Sequence, residues 1–178
     1  MSKTVAGLIV LLVACGAPPV PSAPAPTADA PPPVTSFIAL LGDFAGFEQW
    51  PQFDLGEQPA DGFHVAGHRR VFINRPAARA ATSFPVGTVI VKTVFDPSDG
   101  SSQVFAMAKR GSFNFGGAVG WEFFQLDAVT ASPNIVWRGE TPPQTALYGG
   151  QHVSCNLCHA MATANDSVLT PELALLPY

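Results

Sequence analysis

The chain has 178 residues, of which 12% are charged and 47% hydrophobic, and a formal net charge of −4. That length suits one domain around a single core. The mild negative balance excludes an electrostatic nucleic-acid binder and says little about any other partner.

Met1-Ser2-Lys3 supplies a short positive start, and Val5 to Ala14 is an apolar run too short to span a bilayer. It leads into Leu12-Val13-Ala14-Cys15-Gly16, which is similar to a bacterial lipobox, where small residues precede a cysteine that is lipidated and then becomes N-terminal. The alternative is an ordinary signal peptide with an incidental cysteine. Residues 1–14 are therefore predicted as a lipoprotein signal peptide and Cys15 as the lipidation site. Gly16 to Thr35 is dominated by Pro, Ala, Val, Ser and Thr and includes Pro31-Pro32-Pro33. Such a segment stays extended and solvated, so residues 15–35 form a tether. The predicted location is the periplasmic side of a bacterial membrane, with contact through the lipid alone. Residues 36–178 form the domain, and no internal repeat is visible.

Within it, Phe37, Leu40, Leu41 and Phe44 have helical spacing and predict a short helix over Ser36 to Phe47. His68 to Asn74 reads as a strand. Pro76 to Ala81 reads as a helix opening on proline. Val86 to Phe95 is the clearest strand, dense in β-branched residues, and Asp96-Pro97-Ser98-Asp99-Gly100 carries turn chemistry. Ser102 to Lys109, Gly120 to Asp127 and Asn134 to Arg138 continue the series. Strands joined by short turns predict an antiparallel sheet: an α+β, β-rich fold with short flanking helices. A small helix or irregular tail follows Ser167.

Near the end stands Cys155-Asn156-Leu157-Cys158-His159. This pattern is a covalent attachment site for a c-type haem. On one helical turn, residues three and four apart share a face. Two thiols can then bond the porphyrin vinyl groups, and His159 can ligate the iron as proximal ligand. A disulfide or redox pair beside a chance histidine is the plainer alternative. The cysteine count agrees with haem, since one of three is assigned to lipid and two to the porphyrin. The order of elements excludes two common haem folds. A small electron-transfer cytochrome c carries its motif early with a methionine ligand downstream, whereas here Met161 follows His159 by two residues. A four-helix cytochrome needs long helical repeats where this chain has strands.

A β-rich domain holding haem on a C-terminal helix resembles the cytochrome P-460 family. The likeness rests on Val71-Phe72-Ile73-Asn74-Arg75-Pro76, Phe84-Pro85-Val86-Gly87-Thr88-Val89-Ile90-Val91-Lys92, Gly120-Trp121-Glu122-Phe123 and the terminal Cys155 to His159, in that order. It covers His68 to the C-terminus; Phe37 to His64 matches loosely. The resemblance implies hydroxylamine oxidation to nitric oxide or nitrous oxide at a five-coordinate haem c, with electrons passed to a partner cytochrome, and a homodimer. It also implies a bond from a lysine to the porphyrin edge, and Lys92 stands at that position. Strand alternation puts Lys92 on one face with Thr88, Ile90 and Val94, a poor setting for a solvated lysine; a snorkelling surface lysine is the alternative.

The resemblance further implies a distal carboxylate at Glu122 that assists deprotonation. Alternation groups Glu122 with Phe124 and Leu126, and a carboxylate among apolar groups should be hard to ionise and apt to take a proton. Its alternative is a margin glutamate paired with Arg110 or Lys109. His64, His68 and His152 are candidate sixth ligands, and Phe113 or Phe115 could cap the distal face. No role follows for Trp50, Trp121 or Trp137. Two further readings stand beside the enzyme: a nitric oxide or carbon monoxide binder similar to the β-sheet cytochromes c′, and a six-coordinate electron carrier using His64 or His68.

Overall fold

Each strand of the sheet pairs with the next one in the chain. The computed structural model describes residues 36–61, 64–127, 131–145 and 154–175, all within the unit Pro33–Tyr178. The six strands are β1 (Gln52–Gln58), β2 (Gly67–Ile73), β3 (Val89–Phe95), β4 (Ser102–Lys109), β5 (Trp121–Leu126) and β6 (Ile135–Gly139), all antiparallel in the order β1-β2-β3-β4-β5-β6. One α-helix, α1 (Cys155–His159), follows, with short 3₁₀ turns before and after the sheet. The β-rich antiparallel architecture is as the sequence predicted. The expected signal peptide, Cys15, the tether and His152 lie outside the described residues. Among the described residues no helix is long and apolar enough to cross a membrane.

Successive residues of a strand face opposite sides, so the register fixes two faces. Val71 opposes Lys92, which opposes Phe105; Ile73, Ile90, Met107 and Phe123 make the next row. With Trp121 and Trp137 this face packs against Phe84, Val168 and Leu173. On the other face Phe72, Val89, Val91, Ala106, Phe124 and Leu126 pack against Ala39, Phe44 and Phe47. Burial on both sides explains the near-continuous apolar run of β3.

Three local expectations are corrected. Ser36 to Phe47 is two 3₁₀ turns, Leu41–Phe44 and Phe47–Gln49, because Gly46 turns left-handed (φ 66°) between them. Phe44 and Phe47 are buried there, while Leu40 and Leu41 face solvent. Pro76 to Ala81 forms no helix: it is too short to repay nucleation, and Ala80 is left-handed at φ 60°. β3 starts at Val89, since Thr88 N–H donates to Pro85 O across a turn that Gly87 permits at φ 90°. β1 was not foreseen. It is an edge strand whose polar residues face water while Phe53 and Leu55 pack on the core.

α1 is a single turn and a fraction, too short to be stable alone. Ser154 caps it, its hydroxyl accepting from Leu157 N–H at 3.2 Å. Asn156 anchors it. Its buried Oδ1 accepts from Asn114 Nδ2 at 2.6 Å and Ala118 N–H at 2.7 Å, tying α1 to the loop before β5. Gly117 lies so close to the Asn156 amide that a Cβ there would overlap it. Replacing Asn156 by Ala leaves the Ala118 N–H without this partner and should cost about 1–3 kcal/mol, read as a lower urea midpoint. Leu157→Ala, on the exposed side of the same turn, should change the midpoint by less than about 0.5 kcal/mol in equivalent stability.

Candidate functional site

α1 lies over the sheet face that carries Lys92. A cavity of about 340 Å³ opens there, lined by Cys155, Cys158 and His159 from α1, by Val71, Ile90, Lys92, Phe105, Met107, Phe123 and Trp137 from the sheet, and by Asp61, His64 and Arg69. This volume is within the range of small-molecule and cofactor sites. The walls are largely apolar, so the few polar groups are the chemically informative ones.

Helical spacing brings both cysteines and His159 to one cavity, as expected. The thiols are not bonded to each other. Burial pushes Cys155 up to about 11 and raises Cys158 as well. Both are therefore protonated at neutral pH, the opposite of an activated redox pair. His159 stacks obliquely on Phe123, with ring centroids 4.9 Å apart, and its Nδ1 lies 2.8 Å from Ser167 O. A carbonyl only accepts, so Nδ1 carries the proton and Nε2 keeps its lone pair. Burial lowers the imidazole to about 4, which keeps it neutral. A neutral imidazole whose other nitrogen is held by a backbone carbonyl is the form that binds metals. Among the described residues no three His, Cys, Asp or Glu side chains cluster as a site for a bare metal ion.

The carbonyl that fixes His159 is itself held in place. Asp166 and Ser167 are both left-handed, at φ 48° and 66°, a conformation that costs a non-glycine residue about 1 kcal/mol or more. Asp166 is gripped from three sides: Lys109 Nζ reaches Oδ1 at 2.6 Å, Phe84 N–H reaches Oδ2 at 2.8 Å, and Trp121 Nε1 donates to its carbonyl at 2.6 Å. Lys109 and Trp121 are opposite each other on β4 and β5. The strands thus aim a strained turn at the histidine.

Lys92 lies on the cavity wall beside Ile90, as alternation predicted. Burial first, then the Arg69 charge, lower its ammonium to about 8. Its Nζ is 3.4 Å from His64 Nδ1. Glu122 requires a correction. Glu122 alternates with Trp121 and Phe123 of the cavity face, so it lies on the side of Leu126 that packs against Phe44 and Phe47, and it does not line the cavity. There its carboxylate accepts from Arg138 Nε and Nη2, each at 2.8 Å, and from Arg110 Nη1 at 3.2 Å. A base acting on a cavity-bound molecule does not fit that position. Alternation grouped the residues of β5 correctly, but it does not say which group faces the cavity.

The remaining candidates divide. His64 lines the cavity. His68 is on the other face of β2, within 2.8 Å of Asp54 and 3.3 Å of Glu57. Phe115 is 79% exposed and Phe113 packs on Arg110, so neither lines the cavity; Phe105 and Phe123 do. Met161 is exposed to solvent. Trp121 and Trp137 acquire roles, the first holding Asp166 and the second lining the cavity with its indole donating to Gln125 Oε1 at 3.0 Å. Asp61, Arg69, Asp166 and Ser167 were not singled out by the sequence, because nothing in a linear pattern joins a loop after β1 to a turn after α1. Comparison with family models, with curated proteins and with solved structures finds no match for this chain.

Two outcomes follow. Lys109→Met strips the half-buried Asp166 carboxylate of its cation and should cost about 1–3 kcal/mol, measured by urea unfolding. In protein made without cofactor maturation, His64 and His159 are lowered to about 4 when folded, against an ordinary 6.5 when unfolded. The unfolded chain then binds more protons between these values, so stability is complete above about 6.5 and falls as pH drops toward about 4. His64→Gln should flatten that slope.

Proposed function

We propose that this chain is an exported mono-haem c-type cytochrome resembling cytochrome P-460, oxidising hydroxylamine and passing electrons to another cytochrome. The observation that carries the haem assignment is the convergence of Cys155, Cys158 and a neutral His159 on one apolar cavity, with Nδ1 of His159 engaged by Ser167 O. The donor set fits haem c: two protonated thiols for the vinyl groups and one imidazole lone pair for the iron. Haem c would supply a redox-active iron able to take a small nitrogen ligand and accept its electrons.

The protein groups do the rest. Cys155 and Cys158 tether the cofactor, and the Asp166–Ser167 turn holds His159 in the ligating tautomer. Ile90, Phe105, Met107 and Phe123 give the cavity an apolar lining. Lys92 favours the P-460 reading over a simple gas binder, because a lysine whose ammonium is disfavoured by burial is an amine available for covalent chemistry. Cys15 as lipid anchor and a partner cytochrome complete the proposal from the sequence pattern.

The gas-binding reading, similar to the β-sheet cytochromes c′, has its own support. Removing Glu122 from the cavity leaves a predominantly apolar wall, suited to nitric oxide or carbon monoxide.

The deciding measurement is the optical spectrum of periplasmically matured protein after reduction with dithionite. A strongly red-shifted Soret band that Lys92→Ala returns to an ordinary c-haem position supports the cross-linked enzyme. An ordinary band in both proteins, with five-coordinate features, favours gas binding. A protein that matures with no covalent haem at all removes both readings.

A further inference from the structure

The polar wall of the cavity is built by the connection between β1 and β2. Asp61 accepts from the backbone N–H of His64 at 2.8 Å, and Asp61 N–H donates to His64 O at 3.3 Å, so these two residues are tied to each other. Both carboxylate oxygens of Asp61 lie 3.1–3.2 Å from His64 Nδ1. Arg69 on β2 clamps the base of the loop. Its Nη1 donates to Asp61 Oδ2 at 3.0 Å, and its Nη2 donates to Pro59 O at 2.8 Å and Val65 O at 3.2 Å. The His64 ring meets Phe105 edge-on at 5.2 Å. The His64 ring is thereby held from two sides, by Asp61 and by Phe105.

The Asp61 oxygens can only accept and lie nearer Nδ1, at 3.1–3.2 Å, than Lys92 Nζ does at 3.4 Å, so Nδ1 carries the hydrogen and Nε2 is the basic nitrogen. This is the arrangement of a carboxylate-oriented general base. We propose that His64, oriented by Asp61, is the proton acceptor for a protic ligand or substrate bound in this cavity, the role the family resemblance implied for Glu122. The proposal rests on the haem reading. The step is a simple proton transfer. An N–H bond of hydroxylamine, or the H–C bond of hydrogen cyanide, breaks; its electron pair stays with the ligand; the proton joins Nε2. No oxidation state changes in that step, and the imidazolium, paired with Asp61, returns its proton to water.

The surroundings keep His64 unprotonated at rest while weakening it as a base. Burial, with the Lys92 charge second, depresses His64 to about 4, so the base form is the resting form at neutral pH. The charged and titratable groups around it are Asp61 on its own loop, Arg69 on β2 and Lys92 on β3, with Cys155, Cys158 and His159 of α1 lining the same cavity. Since the Lys92 charge opposes protonation of His64, converting that amine to an uncharged form makes His64 a stronger base. His64 and Lys92 are therefore coupled.

The test uses haem-loaded protein and two probes. Hydrogen cyanide must lose a proton to bind as the anion; carbon monoxide, added to the reduced protein, carries none. In His64→Gln the cyanide association rate should fall by about tenfold or more, while carbon monoxide association stays within about twofold. Asp61→Asn, which keeps the imidazole but loses its orienting charge, should slow cyanide by a smaller factor in the same direction. Haem content by the pyridine haemochrome assay checks that each variant matured. Cyanide rates that are unchanged, or that fall in step with carbon monoxide, overturn the proton-acceptor role and leave the haem reading intact. Wild-type protein without covalent haem overturns the haem reading, and this proposal with it. If His64→Gln fails to mature, Asp61→Asn alone decides between these outcomes.

Discussion

The part-buried ion pair between Lys109 and Asp166 is the constraint on which the site depends. A charge pair taken out of water is a poor source of net stability, because desolvation offsets most of the attraction. Its value here is geometric. Asp166 and Ser167 are both in left-handed backbone conformations that neither residue would keep unaided. Lys109, the Phe84 amide and the Trp121 indole hold Asp166 in that state, and the carbonyl of Ser167 then meets His159. Two strands, one strained turn and one imidazole act as a single unit. The tautomer of His159 follows from a salt bridge two connections away.

The same economy applies to α1. Five residues cannot form a stable helix by propensity. The middle of the motif supplies the missing stability, since Asn156 is the residue that fastens the turn to the loop before β5. The two residues between the cysteines are free in the attachment pattern, yet here one is buried and doubly bonded while Leu157 faces solvent. A variable position in a motif can thus be the one that docks it.

How far the sequence could be read follows from which forces are local. The strands β2 to β6 were legible because alternation, β-branched residues and turn chemistry act within a few residues. The cysteine and histidine spacing was legible for the same reason: one helical turn is a local object. β1 was hidden because QFDLGEQ buries only two side chains, which leaves a weak periodic signal. The Pro76 to Ala81 segment misled because proline at a first position and a run of alanines suit a helix, but no hydrophobic stripe exists to dock it. Asp61, Arg69 and Asp166 were invisible because their roles exist only after chain segments far apart have met.

Glu122 shows the sharpest form of that limit. Period-two alternation divides a strand into two sets without naming the set that faces the cavity, and a sheet buried on both sides offers no hydrophobic contrast to decide. On this sheet the tie is broken by partners on other strands. Arg138 is one residue from Trp137 on β6, so when the indole turns to the cavity the guanidinium must turn away, and it takes Glu122 with it. Trp137 is in turn fixed by Gln125, which shares the cavity-side set of β5 with Trp121 and Phe123. Once Trp121 is drawn to Asp166, every side chain on β5 and β6 has its face assigned. The interaction that orients His159 is therefore also the one that places Glu122 outside the cavity and leaves the β1–β2 loop to furnish its polar wall.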